Sequence, residues 1–347
     1  MKYQINHQQY EKDALLNQAK TWRSAKDEWL SDLGSFIIEW FNDDKTIEVN
    51  TSGSTGQPKR IYLSKEAMKK SAEMTVAFLG LKPGMHALLC LPVKFIAGKM
   101  MVVRALTNGL NLLAVPPASN PLHELNERID FAAFTPMQMD AMIKAEFERL
   151  SSIEKIIIGG AAIPGHIEEK IFLLPHQVYA TYGMTETITH IALRKVIPGN
   201  DVYEALPGVV FEQNVSGCLV IDAPHLEEKV ITQDVVEWID ETHFRFLGRK
   251  DNVINSGGIK LSPETIEAKM GKVIAHQFFC TKKTDDLLGE KLVLYIEQSE
   301  VEPNEVESLR IKLKAVLTSF EMPREIIFVH AFERTPTDKI IRKNYDL

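Results

Sequence analysis

Nine consecutive residues, Thr51-Ser52-Gly53-Ser54-Thr55-Gly56-Gln57-Pro58-Lys59, combine four hydroxyls, two glycines and a lysine directly after the alternating segment Thr46-Ile47-Glu48-Val49-Asn50. Glycines let backbone N–H groups turn toward an anion where a Cβ would clash, hydroxyls add donors, and lysine adds a mobile positive charge. Such a run is suited to gripping phosphate, and a nucleoside triphosphate is the ligand it fits. It is not a Walker A loop, because Gln57 and Pro58 separate Gly56 from Lys59 and no Ser or Thr follows the lysine. Taken alone, the same run also reads as a solvated Ser/Thr/Gly linker.

Four further segments concentrate small and polar residues: Gly159-Gly160-Ala161-Ala162-Ile163-Pro164, Tyr182-Gly183-Met184-Thr185-Glu186-Thr187, Gly248-Arg249-Lys250-Asp251 and Arg334-Thr335-Pro336-Thr337-Asp338-Lys339. Each has an ordinary reading by itself: Gly159-Gly160 a plain turn, Glu186 a surface charge, Lys339 a terminal surface lysine. Arg104 is different, since it interrupts the apolar stretch Met100-Met101-Val102-Val103 and Ala105-Leu106. A guanidinium there is expensive without a partner. It pairs with a protein acid, points to solvent, or clamps a carboxylate of a bound molecule in bidentate fashion.

The elements that must position these groups follow from periodicity. Between Ile47 and Tyr182, short apolar runs such as Ala87–Leu91 and Lys155–Ile158 alternate with helical patterns at Glu66–Leu79 and Gly98–Leu106. Ser64 is placed to cap the first of these helices, and Pro136 to start another over Met137–Phe147. From Val202 to Phe246 the pattern becomes β-rich, with strands expected at Gly217–Ile221 and Phe244–Leu247. After the polar break at 248–252, Ser262-Pro263-Glu264 opens a helix, and Gln277–Cys280, Leu292–Glu297 and Ile326–His330 read as strands. The expected fold is α/β: a large N-terminal domain of layered α/β sheets with a small β subdomain, residues 1–249, then a small mobile α+β C-terminal domain, residues 250–347.

At 347 residues and 45% hydrophobic the chain can bury a substantial core. Its formal net charge of -7 and lack of a basic stripe oppose nucleic-acid binding. Cys90, Cys218 and Cys280 stand far apart in apolar runs and read as buried free thiols of a reducing compartment. No apolar run approaches the ~18 residues that span a bilayer, so no membrane partner is expected and the location reads as cytoplasmic.

Taken together, in this order and spacing, the five segments resemble the adenylate-forming superfamily of acyl-CoA synthetases, luciferases and peptide-synthetase adenylation domains, over about Ile47 to Lys343. The resemblance implies that Thr51, Ser52, Gly53, Ser54, Thr55, Gly56 and Lys59 hold the β- and γ-phosphates of ATP. Gly160 and Ala161 would lie against the adenine, with Tyr182 as a stacking face. Thr185 would donate to the α-phosphate and Glu186 would ligate Mg²⁺, a hard cation that prefers carboxylate and phosphate oxygens. Asp234 and Arg249 correspond to the pair that binds the ribose hydroxyls, with Gln233 where the family commonly has glycine. Lys339, preceded by Asp338 instead of the usual glycine, corresponds to the C-terminal catalytic lysine. Asp251 falls at the hinge, rotation about which would exchange Lys339 for the thioester-forming face with Gly258 and Lys260.

The implied reaction is adenylation of a carboxylic acid by ATP, then thioester formation with CoA. The segment Leu91-Pro92-Val93-Lys94-Phe95-Ile96-Ala97-Gly98 resembles the lining of the family's acyl pocket, with Phe95 where a histidine is frequent. An arginine follows it at the interval of Arg104 in the o-succinylbenzoate–CoA ligases of menaquinone biosynthesis, and the chain is similar to compact members of that group. That acid has two carboxylates, one to activate and one for Arg104 to anchor. A carrier-protein thiol as acceptor, and a nucleotide-binding regulator without catalysis, are the alternative readings. About fifty residues precede the phosphate run, fewer than in most members, which leads to the expectation of an exposed sheet face covered in a homodimer.

Overall fold

The computed structural model describes residues 2–50, 60–123, 125–299, 301–335 and 340–345. Strands Ile129–Phe134 and Ile153–Ile158 are near-continuous apolar runs, which suits strands buried on both faces of a parallel sheet. They are central to one large sheet. Among the described residues its parallel part runs Gln177–Gly183, Ile153–Ile158, Ile129–Phe134, His86–Leu89, Asn111–Ala114, Tyr3–Ile5. Beyond Gln177–Gly183 it continues antiparallel through His190–Lys195, Val202–Ala205, His243–Arg249, Val230–Trp238, Cys218–Asp222 and Val210–Gln213.

Successive side chains enter different cores. Phe131 and Ala133 join one cluster, Ala132 and Phe134 the other, so each face of the sheet is packed. The helices over these faces begin where local chemistry says they should. Ser64 accepts from the backbone of Ala67 at 3.4 Å to start Lys65–Leu79, which stops at Gly80 with φ +61°. Thr135 and Gln138 form a reciprocal capping box at the start of Pro136–Glu146.

The lead-in before the phosphate run builds more than periodicity foretold. Tyr3–Ile5 and Gln8–Tyr10 form a hairpin whose two turn residues, Asn6 and His7, have φ of +45° and +66°. The Asn6 side chain accepts from the Ala114 backbone at 2.7 Å and donates back to it at 3.1 Å, which locks the hairpin to the sheet edge. Helices Lys12–Arg23 and Glu28–Phe41 then send Leu15, Ala19, Leu33, Phe36 and Ile37 into the same core as Phe131. The expected bare face is therefore corrected: on that side the chain's own helices cover the sheet, and the argument for a dimer loses its basis.

A second sheet begins at Ile254, five residues after the first ends at Arg249. Strands Ile259–Leu261, Ile254–Ser256, Gly289–Glu297 and Phe278–Asp285 pair antiparallel, and Glu325–Val329 adds in parallel to Gly289–Glu297. Helices Pro263–Met270 and Pro303–Val316 supply Ile266, Met270 and Leu313 to its core. The two units touch where Ser262 and Thr265 both donate to the Leu247 carbonyl at 2.7 Å, and where a Cβ on Gly165 would stand 2.8 Å from the Gly271 carbonyl oxygen. No helix among the described residues is long and apolar enough to cross a membrane.

His190 opens strand His190–Lys195 inside the first core, 3.1 Å from the Thr75 hydroxyl. Burial, then the nearby Arg104 charge, holds its imidazole well below the ordinary 6.5. The unfolded chain takes up a proton there as pH falls below 6.5 while the native state does not, so stability is full above that value and declines beneath it. Denaturation midpoints measured from about pH 7.5 down to about 5.5 should fall, with a slope of up to about 1.4 kcal/mol per pH unit from this group. His190→Gln should flatten that slope, and an unchanged slope would refute the assignment.

Candidate active site

Chain order creates a crevice. From His86–Leu89 the chain moves outward to Asn111–Ala114 and then returns past it to Ile129–Phe134, so strand order reverses between these neighbours. Ligands of open α/β sheets bind outside the carboxyl ends of strands at such a switch point. Three of the predicted segments leave this one edge: Leu91 to Phe95 follows His86–Leu89, Gly159-Gly160-Ala161 follows Ile153–Ile158, and Met184 to Thr187 follows Gln177–Gly183. Gly160 and Ala161 are exposed there.

Thr185 and Glu186 project from a tight knot of backbone. Gly183 passes so close to Thr189 that a Cβ would lie 2.3 Å from its carbonyl oxygen. Buried Thr187 organises the turn: its hydroxyl accepts from Met184 N at 3.0 Å and faces the Met184 and Thr189 carbonyls at 3.0 and 2.7 Å. Ile188, β-branched and buried, is held at φ +67°, a strained conformation for such a residue. His225 meets the Thr187 carbonyl at 3.0 Å from behind. The consequence is an exposed Glu186 carboxylate with no ion pair among the described residues. A free carboxylate of this kind fits Mg²⁺ by the chemistry of its oxygen donors.

Asp234 is only 4% exposed. Burial raises its carboxyl pKa, opposed by a hydrogen bond from the Tyr182 hydroxyl and by the Arg249 charge. Arg249 Nη1 lies 3.3 Å from Asp234, while its Nε and Nη2 hold Asp251 at 3.0 and 2.7 Å. The predicted ribose pair and the predicted hinge residue thus share one guanidinium. Tyr182 does more than offer a flat face: it is half-buried against Tyr203, Phe244 and Phe246, and burial beside Asp234 pushes its hydroxyl pKa up, so it stays a donor.

Phe95 precedes the first turn of helix Ile96–Asn108, half-buried, with the Lys94 ammonium 5.8 Å from its ring. Arg104, on that helix, is 2% exposed, and its Nε is sealed from solvent without a hydrogen-bond partner. Burial brings its pKa down to about 10. It neither points to solvent nor pairs with an acid among the described residues. Its charge is felt by buried His190, which meets Thr75 at 3.1 Å; on the same helix as Thr75, Ser71 lies 3.0 Å from Thr189, which closes the Thr185–Glu186 turn.

Gly258 and Lys260 lie exposed on the hairpin Ile254–Ser256 and Ile259–Leu261, in the second unit with Asp251 at its entrance. The predicted phosphate residues Thr51, Ser52, Gly53, Ser54, Thr55, Gly56 and Lys59 lie outside the described residues, as do Asp338 and Lys339. Their flanks are nonetheless fixed: Asn50 pairs with Arg60, and Arg334 bridges Ile340. Sequence reasoning missed Arg342, whose two terminal nitrogens grip Glu267 at 2.8 Å each and pin the tail to helix Pro263–Met270. Thr187 was equally silent, being one more hydroxyl in a polar motif.

The family model of AMP-binding enzymes matches residues 11–228. A probable 2-succinylbenzoate–CoA ligase of Mycobacterium tuberculosis is 27% identical, over 89% of this chain and 86% of that one. The 2-succinylbenzoate–CoA ligase of Bacillus cytotoxicus is 25% identical, over 85% and 68%. Among solved structures, an acyl-CoA synthetase (AMP-forming)/AMP-acid ligase II-like protein from Dyadobacter fermentans is 35% identical, with a TM-score of 0.63 over 93% of this chain and 95% of that one. The o-succinylbenzoate CoA synthetase of Bacillus subtilis, in complex with its acyl-adenylate intermediate, shares the fold at a TM-score of 0.74 and 19% identity, over 85% and 67%.

Thr187→Val keeps the shape of the knot and removes its hydroxyl. Leaving the Met184 N–H and the facing carbonyls without it should cost about 1–3 kcal/mol in urea denaturation, and ATP affinity by calorimetry should fall in parallel. A variant with unaltered stability would show that the hydroxyl does not hold the turn.

Proposed function

The chain belongs to the AMP-binding enzyme family, and from that premise we propose that it is an AMP-forming acid–thiol ligase converting o-succinylbenzoate, ATP and CoA to o-succinylbenzoyl-CoA, AMP and pyrophosphate. The observation that carries the choice of acid is Arg104. A guanidinium buried in an apolar helix with no acid partner among the described residues is a site waiting for an anion, and a dicarboxylic acid can give it one carboxylate while the other reacts. The two curated relatives named for this acid support the same reading.

In the first half-reaction a carboxylate oxygen of the acid bonds to the α-phosphorus, and the bond from that phosphorus to pyrophosphate breaks. Negative charge gathers on the phosphoryl oxygens, so fixed donors and cations are the main catalytic need. Thr185 donates to the α-phosphate, Lys59 and its neighbours hold the departing pyrophosphate, and Lys339 contacts the oxygens between acid and phosphate. Mg²⁺, held by Glu186, supplies charge neutralisation when bound. Gly160, Ala161 and Tyr182 border the adenine, Asp234 and Arg249 the ribose, and Phe95 the acyl group. In the second half-reaction the CoA sulfur attacks the acyl carbon and AMP leaves. Rotation at Asp251 between units 1–249 and 250–347 replaces Lys339 by the face with Gly258 and Lys260. Three buried free cysteines suit a reducing, cytoplasmic setting for this enzyme.

A panel of carboxylic acids scored by AMP formation with CoA present should give o-succinylbenzoate the highest kcat/KM, and preference for a monocarboxylic acid would overturn the substrate assignment. Arg104→Ala should raise KM for the acid by about 10- to 100-fold, corresponding to a lost charged hydrogen bond of about 1.5–3 kcal/mol, with KM for ATP little changed. Lys339→Ala should abolish acyl-adenylate formation yet retain thioester formation from supplied acyl-adenylate; equal loss of both half-reactions would remove the two-orientation scheme.

A further inference from the structure

The amino edge of the large sheet, opposite the nucleotide groups, carries a separate cluster. His86 opens strand His86–Leu89, whose far end leads to Phe95; Glu127 stands just before strand Ile129–Phe134; His7 occupies the turn of the N-terminal hairpin. One ligand atom from each of these three side chains lies within 4.8 Å of the others. His7 Nε2 is 2.9 Å from a Glu127 oxygen, and the two imidazole centroids are 6.3 Å apart. We propose that His7, His86 and Glu127 bind a divalent transition-metal cation of the zinc class and so fasten the N-terminal hairpin to the sheet.

The distances suit such an ion. With zinc–ligand bonds of about 2.0–2.2 Å, neighbouring ligand atoms of a tetrahedral site stand roughly 3.4 Å apart. Closing from 4.8 Å takes a small rotation of side chains that are only partly buried, His7 at 56%, Glu127 at 42% and His86 at 34% exposure. His7 holds φ +66° in the hairpin turn, and its ring already stands 6.3 Å from that of His86. Behind His86 stands Asp130, which accepts from the His86 backbone at 2.7 Å with the same oxygen that lies 3.8 Å from Nδ1. A carboxylate behind one ring nitrogen is the usual arrangement for presenting the other to a metal.

Charge and donor type then narrow the ligand. The surrounding cavity, about 690 Å³, is lined by Glu127, Asp130 and Glu154 against Arg128, whose guanidinium is engaged by Glu154 at 3.0 Å. The balance favours a cation. Two imidazoles and one carboxylate select zinc, cobalt or nickel and discriminate against Mg²⁺, which requires oxygen ligands. The fourth position is left to water. Because the ion binds native chain only, it should raise thermal stability by mass action without entering the ligation chemistry.

The test uses full-length protein stripped with chelator and titrated with zinc chloride alone, in the presence of excess Mg²⁺, by calorimetry. One equivalent should bind with Kd of about 1 µM or tighter, with a rise in melting temperature. Cobalt in its place should give the visible absorption of a four-coordinate site. His7→Ala, His86→Ala and the isosteric Glu127→Gln should each weaken zinc binding at least tenfold, and Asp130→Asn by roughly 10- to 100-fold, while AMP formation with Mg²⁺ stays at the parent level. Absence of zinc binding, displacement by millimolar Mg²⁺, or affinity unaltered in Glu127→Gln and both alanine variants would overturn the site.

Discussion

One buried carboxylate holds the two halves of the large sheet in register with the unit that follows. Asp234 sits in strand Val230–Trp238 directly opposite Arg249 in strand His243–Arg249, and receives the hydroxyl of Tyr182 from the last parallel strand. At 4% exposure it could not keep its charge without both. The Arg249 side chain is 42% exposed and shares its charge with Asp251, so solvent screens its share of the pairing, while the Tyr182 hydroxyl reaches Asp234 from the half-buried side. Parallel and antiparallel segments are therefore welded at the point where the groups predicted to bind nucleotide converge. Arg249 extends the weld to Asp251, so the junction between the two sheets is electrostatically continuous with the predicted ribose pair.

The large sheet separates its work by polarity of its strands. Carboxyl ends carry the groups assigned to nucleotide and acid, with the turn at Met184 to Thr189 stiffened by a threonine hydroxyl and a strained isoleucine. Amino ends carry the imidazoles and acids of the hairpin edge. Between them lies a core of aliphatic strands with essentially no exposed surface, which keeps the oxygen donors predicted for Mg²⁺ at one edge apart from the imidazoles proposed for a softer ion at the other.

The α/β class was legible because parallel strands buried on both faces must be apolar throughout, and because Ser64, Thr135 and Ser262 mark helix starts by local hydrogen bonding. Thr185, Glu186 and Arg249 stood out in the sequence because they lie in dense polar motifs, whereas Asp234, in the mixed strand Val230–Trp238, was singled out only by the family resemblance. The cost of Arg104 in an apolar stretch was also visible, but its buried neighbour was not, since His190 comes from a strand far away in the chain. The edge hairpin escaped notice because three-residue strands carry too little alternation to read. The grip of Arg342 on Glu267 spans seventy-five positions, and nothing local announces it.

Gly165 meets the Gly271 backbone across the two units so closely that a Cβ on Gly165 would stand 2.8 Å from the Gly271 carbonyl oxygen. Contacts of that kind are specific to one arrangement: backbone against backbone, close-packed, with no flexible atoms to follow if either surface turns away. Any swing at Asp251 must unmake the contact whole. The contact therefore acts as a seat for the second unit, one that favours the orientation in which it is made, and glycine at position 165 is what lets the Gly271 backbone come so close. How long the enzyme dwells in each half of its cycle would then be set partly by two residues that touch neither nucleotide nor acid.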